Sequence, residues 1–105
     1  MDELLENIDE LVIEELERAN AVFPQFHGNH EAWAVLKEEV EEADIENTKV
    51  NKLLDMLWNS VRFNYKKDQL ISQCKSLKKH ALYNSAENIQ VAAMCDKFIN
   101  YLEVK

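Results

Sequence analysis

The chain is predicted to fold as a single all-α domain, a bundle of four to five helices spanning residues 1–105. Three observations carry that expectation. Its 105 residues include one Gly and one Pro, which leaves almost no turn chemistry for a sheet. Long stretches without a breaker place apolar residues three and four apart, the period of an amphipathic helix. Apolar residues make up 47% and charged residues 30%, a balance that supports one core and is not that of a disordered chain.

The first helix is predicted over roughly 2–21, where Leu4, Leu5, Ile8, Leu11, Val12, Leu16 and Ala19 recur at helical spacing. "FPQFHGN" then breaks the pattern, with Pro24 and Gly28 marking the clearest loop. Asn29 is a plausible N-cap for a second helix that fades near Asn47. Its buried stripe is expected to hold Ala32, Trp33, Leu36, Val40 and Ala43. Val50, Leu53, Leu54, Leu57, Trp58 and Val61 mark a third helix, interrupted by "FNYKKD". Leu70, Ile71, Cys74, Leu77 and Ala81 resume the period, either as a separate helix or as the far half of a bent one. "YNSAEN" is expected to end that segment, with Asn84 and Glu87 spaced as a capping box. The last helix runs from about 85 to 103, its core face built from Val91, Cys95, Phe98, Ile99 and Leu102.

The formal net charge of −8 argues against a binder of nucleic-acid backbones, whose affinity is built from Lys and Arg. No basic amphipathic face and no run of about 18 apolar residues points to a membrane. The acidic start lacks the parts of a signal peptide, so a cytoplasmic setting is expected, with Cys74 and Cys95 as reduced core thiols.

The charge itself is unevenly placed. "HEAWAVLKEEVEEADIE", residues 30–46, holds seven carboxylates against Lys37 alone. On a helical wheel Glu38 and Glu41 point away from the apolar stripe, whereas Glu39 lies on its edge with Glu42 close by. Residues three apart are neighbours on a helix surface, so Glu39 and Glu42 form a pair. On a solvated face such repulsion costs a few tenths of a kcal/mol. Half-buried, two charges ~6 Å apart repel by roughly 2–3 kcal/mol at an effective dielectric near 20, and a divalent cation reverses the sign. Glu87 on the last helix sits near an apolar face in the same way, with Gln90 the next polar group round. A capped first-turn Glu would explain Glu87 alone; two acidic core-edge groups on two helices are harder to assign to capping.

These residues resemble a known family. Glu38-Glu39-x-x-Glu42 matches the E-E-x-x-E signature of the MazG-like all-α nucleoside triphosphate pyrophosphohydrolases. Together with "AENIQVAAMCDKFINYL" it is similar to the small members found in phages and prophages. The resemblance covers residues 26–46 and 84–102, more loosely "LDMLWNSV", and the first helix only in pattern. It implies a bundle whose acidic helices bind Mg²⁺ (or Mn²⁺), and cleavage of a nucleoside triphosphate to a monophosphate and pyrophosphate. Carried over by position, Glu39, Glu42 and Glu87 become metal ligands and Glu38 the water-orienting acid. Where the family's second motif reads E-x-x-D, this chain has Glu87-Asn88-Ile89-Gln90, so Gln90 is the fourth ligand candidate. His30, Trp33, Lys66 and Lys78 are the candidate substrate contacts, although Trp33 on the apolar stripe also suits the core. The resemblance further implies a homodimer or homotetramer, and Trp58 suits a core or a subunit interface. A catalytically degenerate relative, binding a nucleotide or a protein as an accessory factor, is the alternative.

Overall fold

The computed structural model describes residues 1–104. Three helices account for nearly all of them: α1 Asp2–Val22, α2 Asn29–Arg62 and α3 Lys67–Val104. The all-helical class stands; the count of four to five does not. The expected stops at Asn47 and at "YNSAEN" are absent, because both segments lie inside helices of 34 and 38 residues. No Gly or Pro occurs in either span. Asn and Ser are weak helix formers but cost only tenths of a kcal/mol each, and tertiary packing overrides them. Asn84 is therefore mid-helix and not a cap; its amide donates across the seam to Asn47 Oδ1 at 3.3 Å.

The packing that overrides them is a long antiparallel hairpin. The less exposed positions of α2 advance by four and three: Ala32, Leu36, Glu39, Ala43, Glu46, Val50, Leu53, Leu57 and Ser60. Those of α3 do the same from Leu70 through Leu77, His80, Asn84, Glu87, Val91 and Met94 to Phe98. A mean step of 3.5 is a coiled-coil seam, which keeps one line of each helix facing its partner over many turns. Trp33 and Val40, expected on the buried stripe, flank this line instead and are 59% and 47% exposed.

The "FNYKKD" break is where the chain turns. Asn64 adopts φ 56°, the left-handed region that Asn tolerates better than most residues. Tyr65 N–H donates to Ser60 O at 2.9 Å and Asn64 N–H to Val61 O at 3.1 Å, the bond pair of a Schellman cap. Gln69 Oε1 then accepts from Lys66 N–H at 3.3 Å and starts α3. At the other loop Gly28, not Asn29, precedes the first residue of α2.

α1 runs closer to α3 than to α2. The core therefore sits at one end, where Val12 of α1, Phe26 of the loop, Ala32 of α2 and Ala93 and Met94 of α3 meet. Phe26 packs edge-on against Phe98 and Tyr101, with ring centres 6.3 and 6.4 Å away. Serving two neighbours rotates the buried face of α3: Ala93, Met94 and Lys97 are buried, while Ile99 and Leu102 are each 49% exposed. Beyond the reach of α1, the far halves of α2 and α3 continue as a two-helix arm. The molecule measures 60 × 30 × 22 Å, and its radius of gyration of 17.9 Å exceeds the ~13 Å of a compact chain this long. Among the described residues no helix is long and apolar enough to cross a membrane.

Candidate metal centre

The seam explains how the acids meet. Glu39 and Glu46 occupy seam positions of α2, Glu87 occupies one of α3, and Glu42 lies one turn from Glu39 on the flank. One carboxylate oxygen each from Glu39, Glu42 and Glu87 lies within 4.8 Å of the others. Distant stretches of sequence thus bring three carboxylates to one point between two helices.

Burial and crowding raise the proton affinity of two of the three carboxylates. Burial pushes the Glu39 carboxyl above its ordinary value, and the charges of Glu42, Glu87, Glu38 and Glu15 push it further. Glu87 is raised first by burial, then by the charge of Glu42, its hydrogen bond with Glu42 and the charge of Glu46. Gln90 relieves part of this. With its amide nitrogen turned toward the acids, the orientation the surrounding carboxylates require, it donates to Glu39 Oε2 at 3.0 Å and to Glu87 Oε2 at 3.1 Å and bridges the helices. Turned over, the same side chain presents a carbonyl oxygen to the same spot. The donor set, three carboxylates and one reversible amide, is all oxygen and suits a hard divalent cation.

Two turns further along the seam the opposite solution appears. Glu46 accepts from His80 at 2.9 Å and from Lys49 at 3.2 Å, and its carboxyl is held below the ordinary range, chiefly by the hydrogen bond to His80. His80 is partly buried by this pairing.

These shifts fix the sign of a pH dependence. Glu39 and Glu87 bind protons more tightly folded than unfolded, so their contribution declines as pH rises from about 4.5 through their raised values. Glu46 stabilises above its unfolded value and loses that contribution as pH falls below about 4.5 through its lowered one. Melting temperatures in chelator are expected to peak near that crossover, and Glu39→Gln/Glu87→Gln should flatten the decline on the alkaline side. A decline unchanged by the double variant would refute the assignment.

Glu39 and Gln90 also face a trough of about 450 Å³ between α1 and α2, floored by α3. Glu15, Ala19, Phe23, Val35, Met94 and Lys97 are among the other residues that line it, with Phe26 and Glu31. Lys97 escaped the sequence reading. It is 7% exposed, its Nζ donates to the Phe23 carbonyl and sits 4.8 Å from the centre of the Phe26 ring, and burial lowers its pKa. The available signal was a Lys three and four residues from Met94, Ala93 and Tyr101, on the apolar face of "VAAMCDKFINYL".

The substrate-contact candidates are not gathered here. His30 and Trp33 line a separate concavity with Phe98, and the Trp33 ring lies 5.7 Å from Lys37 Nζ. Lys66 stands at the turn of the hairpin, and Lys78 borders a groove there with Tyr65 and Ile71. Counted along α3, Lys66 is roughly 35 Å and Lys78 roughly 18 Å from Gln90. Glu38 is exposed beside Glu39. Cys74, expected in the core, is exposed, and both cysteines are free.

No protein-family model matches the chain, and neither the curated proteins nor the solved structures contain a significant match.

Proposed function

We propose that the protein is a Mg²⁺-dependent nucleoside triphosphate pyrophosphohydrolase, a small MazG-like enzyme that splits a (d)NTP into a (d)NMP and pyrophosphate. The observation that carries this reading is the convergence of Glu39, Glu42 and Glu87 from two helices within 4.8 Å, beside an open trough. Those three carboxylates and the Gln90 carbonyl would hold Mg²⁺ or Mn²⁺. Bound there, the ion supplies neutralisation of the polyphosphate, polarisation of the α-phosphorus and acidification of a bound water. Water adds to the α-phosphorus, the bond to the bridging oxygen breaks, and Glu38 or Glu42 accepts the proton. The trough offers Val35, Met94 and Phe26 as apolar walls for a base, and Lys97 as the cation among its lining residues. The acidic surroundings disfavour a nucleic-acid partner, because an ion must neutralise every phosphate contact. The reading places the protein in the cytoplasm as a homodimer or homotetramer.

Gln90 favours a second reading. With a neutral amide where the family pattern has Asp, the site carries one less negative charge toward the cation, which suits an accessory factor that binds nucleotide or protein without turnover. Pyrophosphate release, measured with Mg²⁺ or Mn²⁺ over a panel of canonical and modified triphosphates, separates the two. Release that Glu39→Gln abolishes supports the enzyme. Silence across the panel in a protein that demonstrably binds the ion selects the accessory factor.

A further inference from the structure

We infer that the exposed flank of the α2–α3 hairpin is a self-complementary interface on which a second copy of this chain docks antiparallel. This deepens the self-association in the reading above by naming its face and direction, and it rests on none of the metal chemistry.

The flank is defined by sequence spacing and by exposure. Trp33, Val40, Asn47, Leu54 and Val61 follow one another at intervals of seven, so they form one line along α2 beside the seam, with Trp58 between the last two. Trp33, Val40, Leu54, Trp58 and Val61 are 59%, 47%, 52%, 59% and 48% exposed. About half of each of five such side chains leaves roughly 400–500 Å² of apolar surface on one helix flank. The face continues onto α3. One concavity joins Val40, Asp44 and Asn47 to Asn84, Asn88 and Val91, and another joins Trp33 to Phe98. Neither includes an α1 residue, whereas Glu15 and Ala19 of α1 line the trough, so this is the side α1 leaves open. The α2 flank alone supplies roughly half of the ~800 Å² per copy of a standard stable interface.

Two features select a second copy running the opposite way. The apolar–polar pattern of the line is symmetric about Asn47: an antiparallel pairing centred there sets Leu54 against Val40 and Val61 against Trp33. Asn47, already bonded to Asn84, which in turn accepts from Asn88, becomes the polar layer that fixes the register. Charge selects the same direction. Along the hairpin itself, residues 31–46 carry seven carboxylates against Lys37, whereas residues 49–79 carry eight of the twelve Lys and Arg against Asp55 and Asp68. Antiparallel docking lays each basic arm along the acidic half of the other copy and closes under a two-fold axis; parallel docking stacks like on like. An anionic membrane would suit the basic arm alone. The apolar line instead runs on into the acidic half, where such a surface is repelled.

The test uses the full chain, mixed as ¹⁴N and ¹⁵N protein, with sedimentation to give the oligomeric state and a zero-length carboxyl–amine cross-linker to give the orientation. The expected result is a dimer at tens of micromolar whose isotopically mixed cross-links join lysines of 49–79 to carboxylates of 31–46. Leu54→Glu/Trp58→Glu should weaken it at least 100-fold with helicity by circular dichroism retained. If that variant unfolds, the wild-type cross-links decide. A monomer overturns the proposal, as do mixed cross-links joining the arm lysines to Asp55 or Asp68. Binding of the monomer to phosphatidylserine vesicles would reassign the face to a membrane. Metal binding and turnover are scored separately, so either inference can fail alone.

Discussion

Adding millimolar Mg²⁺ or Mn²⁺ to metal-free protein is expected to raise its melting temperature, and Glu39→Gln to abolish the rise. An ion at a hundredfold its Kd stabilises the folded state by about 2.7 kcal/mol, which for a chain of this size is a shift of roughly 10–20 °C. The same substitution should act in the opposite direction without metal. Glu39 sits half-buried among Glu42, Glu87, Glu38 and Glu15, so removing its charge relieves burial and repulsion together. Because the group is partly exposed, water screens much of this, and a gain of about 1 kcal/mol is the reasonable scale. The pair of results is diagnostic: a structural acid loses stability on neutralisation, whereas a ligand gains it and loses the response to the ion. Calorimetry of both proteins in chelator and in metal decides. A wild type indifferent to both ions would remove the metal centre and leave the acids as a solubilising surface.

Gln90→Glu should produce the largest change of opposite sign in the two states. In metal-free protein the substitution deletes two bonds donated to carboxylates, at 3.0 and 3.1 Å, and sets a fourth carboxylate among three. Bonds to charged groups contribute about 1.5–3 kcal/mol each, so a loss of about 2–4 kcal/mol in urea unfolding at neutral pH is expected after screening. Below about pH 4 protonation should erase most of it. With Mn²⁺ the fourth carboxylate becomes an asset: titration calorimetry should show affinity at least tenfold tighter, and turnover should rise if charge limits it. A variant equally destabilised with and without the ion would mean that Gln90 only bridges the helices.

How these residues could be read from sequence differs from one to the next. Glu39 and Glu42 were legible because their spacing puts them on one helix surface and the apolar period shows which edge they occupy. Glu87 was legible for the same reason on the last helix. Their meeting was an inference from chemistry, and only the fold supplied it. The antiparallel hairpin puts Glu39 and Glu87 at facing seam positions, and no local pattern states the register of two helices more than forty residues apart. Trp33 shows the converse. Its place in the period put it in the core, but a narrow two-helix seam covers less of each helix than a bundle does, and Trp33 falls outside it. Lys97 was overlooked because the face of α3 that meets α1 begins where a single-partner wheel expects solvent.

By itself the sequence determined the helical class, the two loops at "FPQFHGN" and "FNYKKD", and the acids that stand at the edge of apolar faces. Each is set by neighbours within a turn or two, through missing breakers, a left-handed Asn and side-chain periodicity. Tertiary structure alone decided that four to five expected helices become three, that α1 covers just one end, and that carboxylates from two helices share a point. Those outcomes depend on which surfaces pair over long separations. There packing between helices outweighs the few tenths of a kcal/mol by which Asn, Ser or a run of like charges disfavours a local helix.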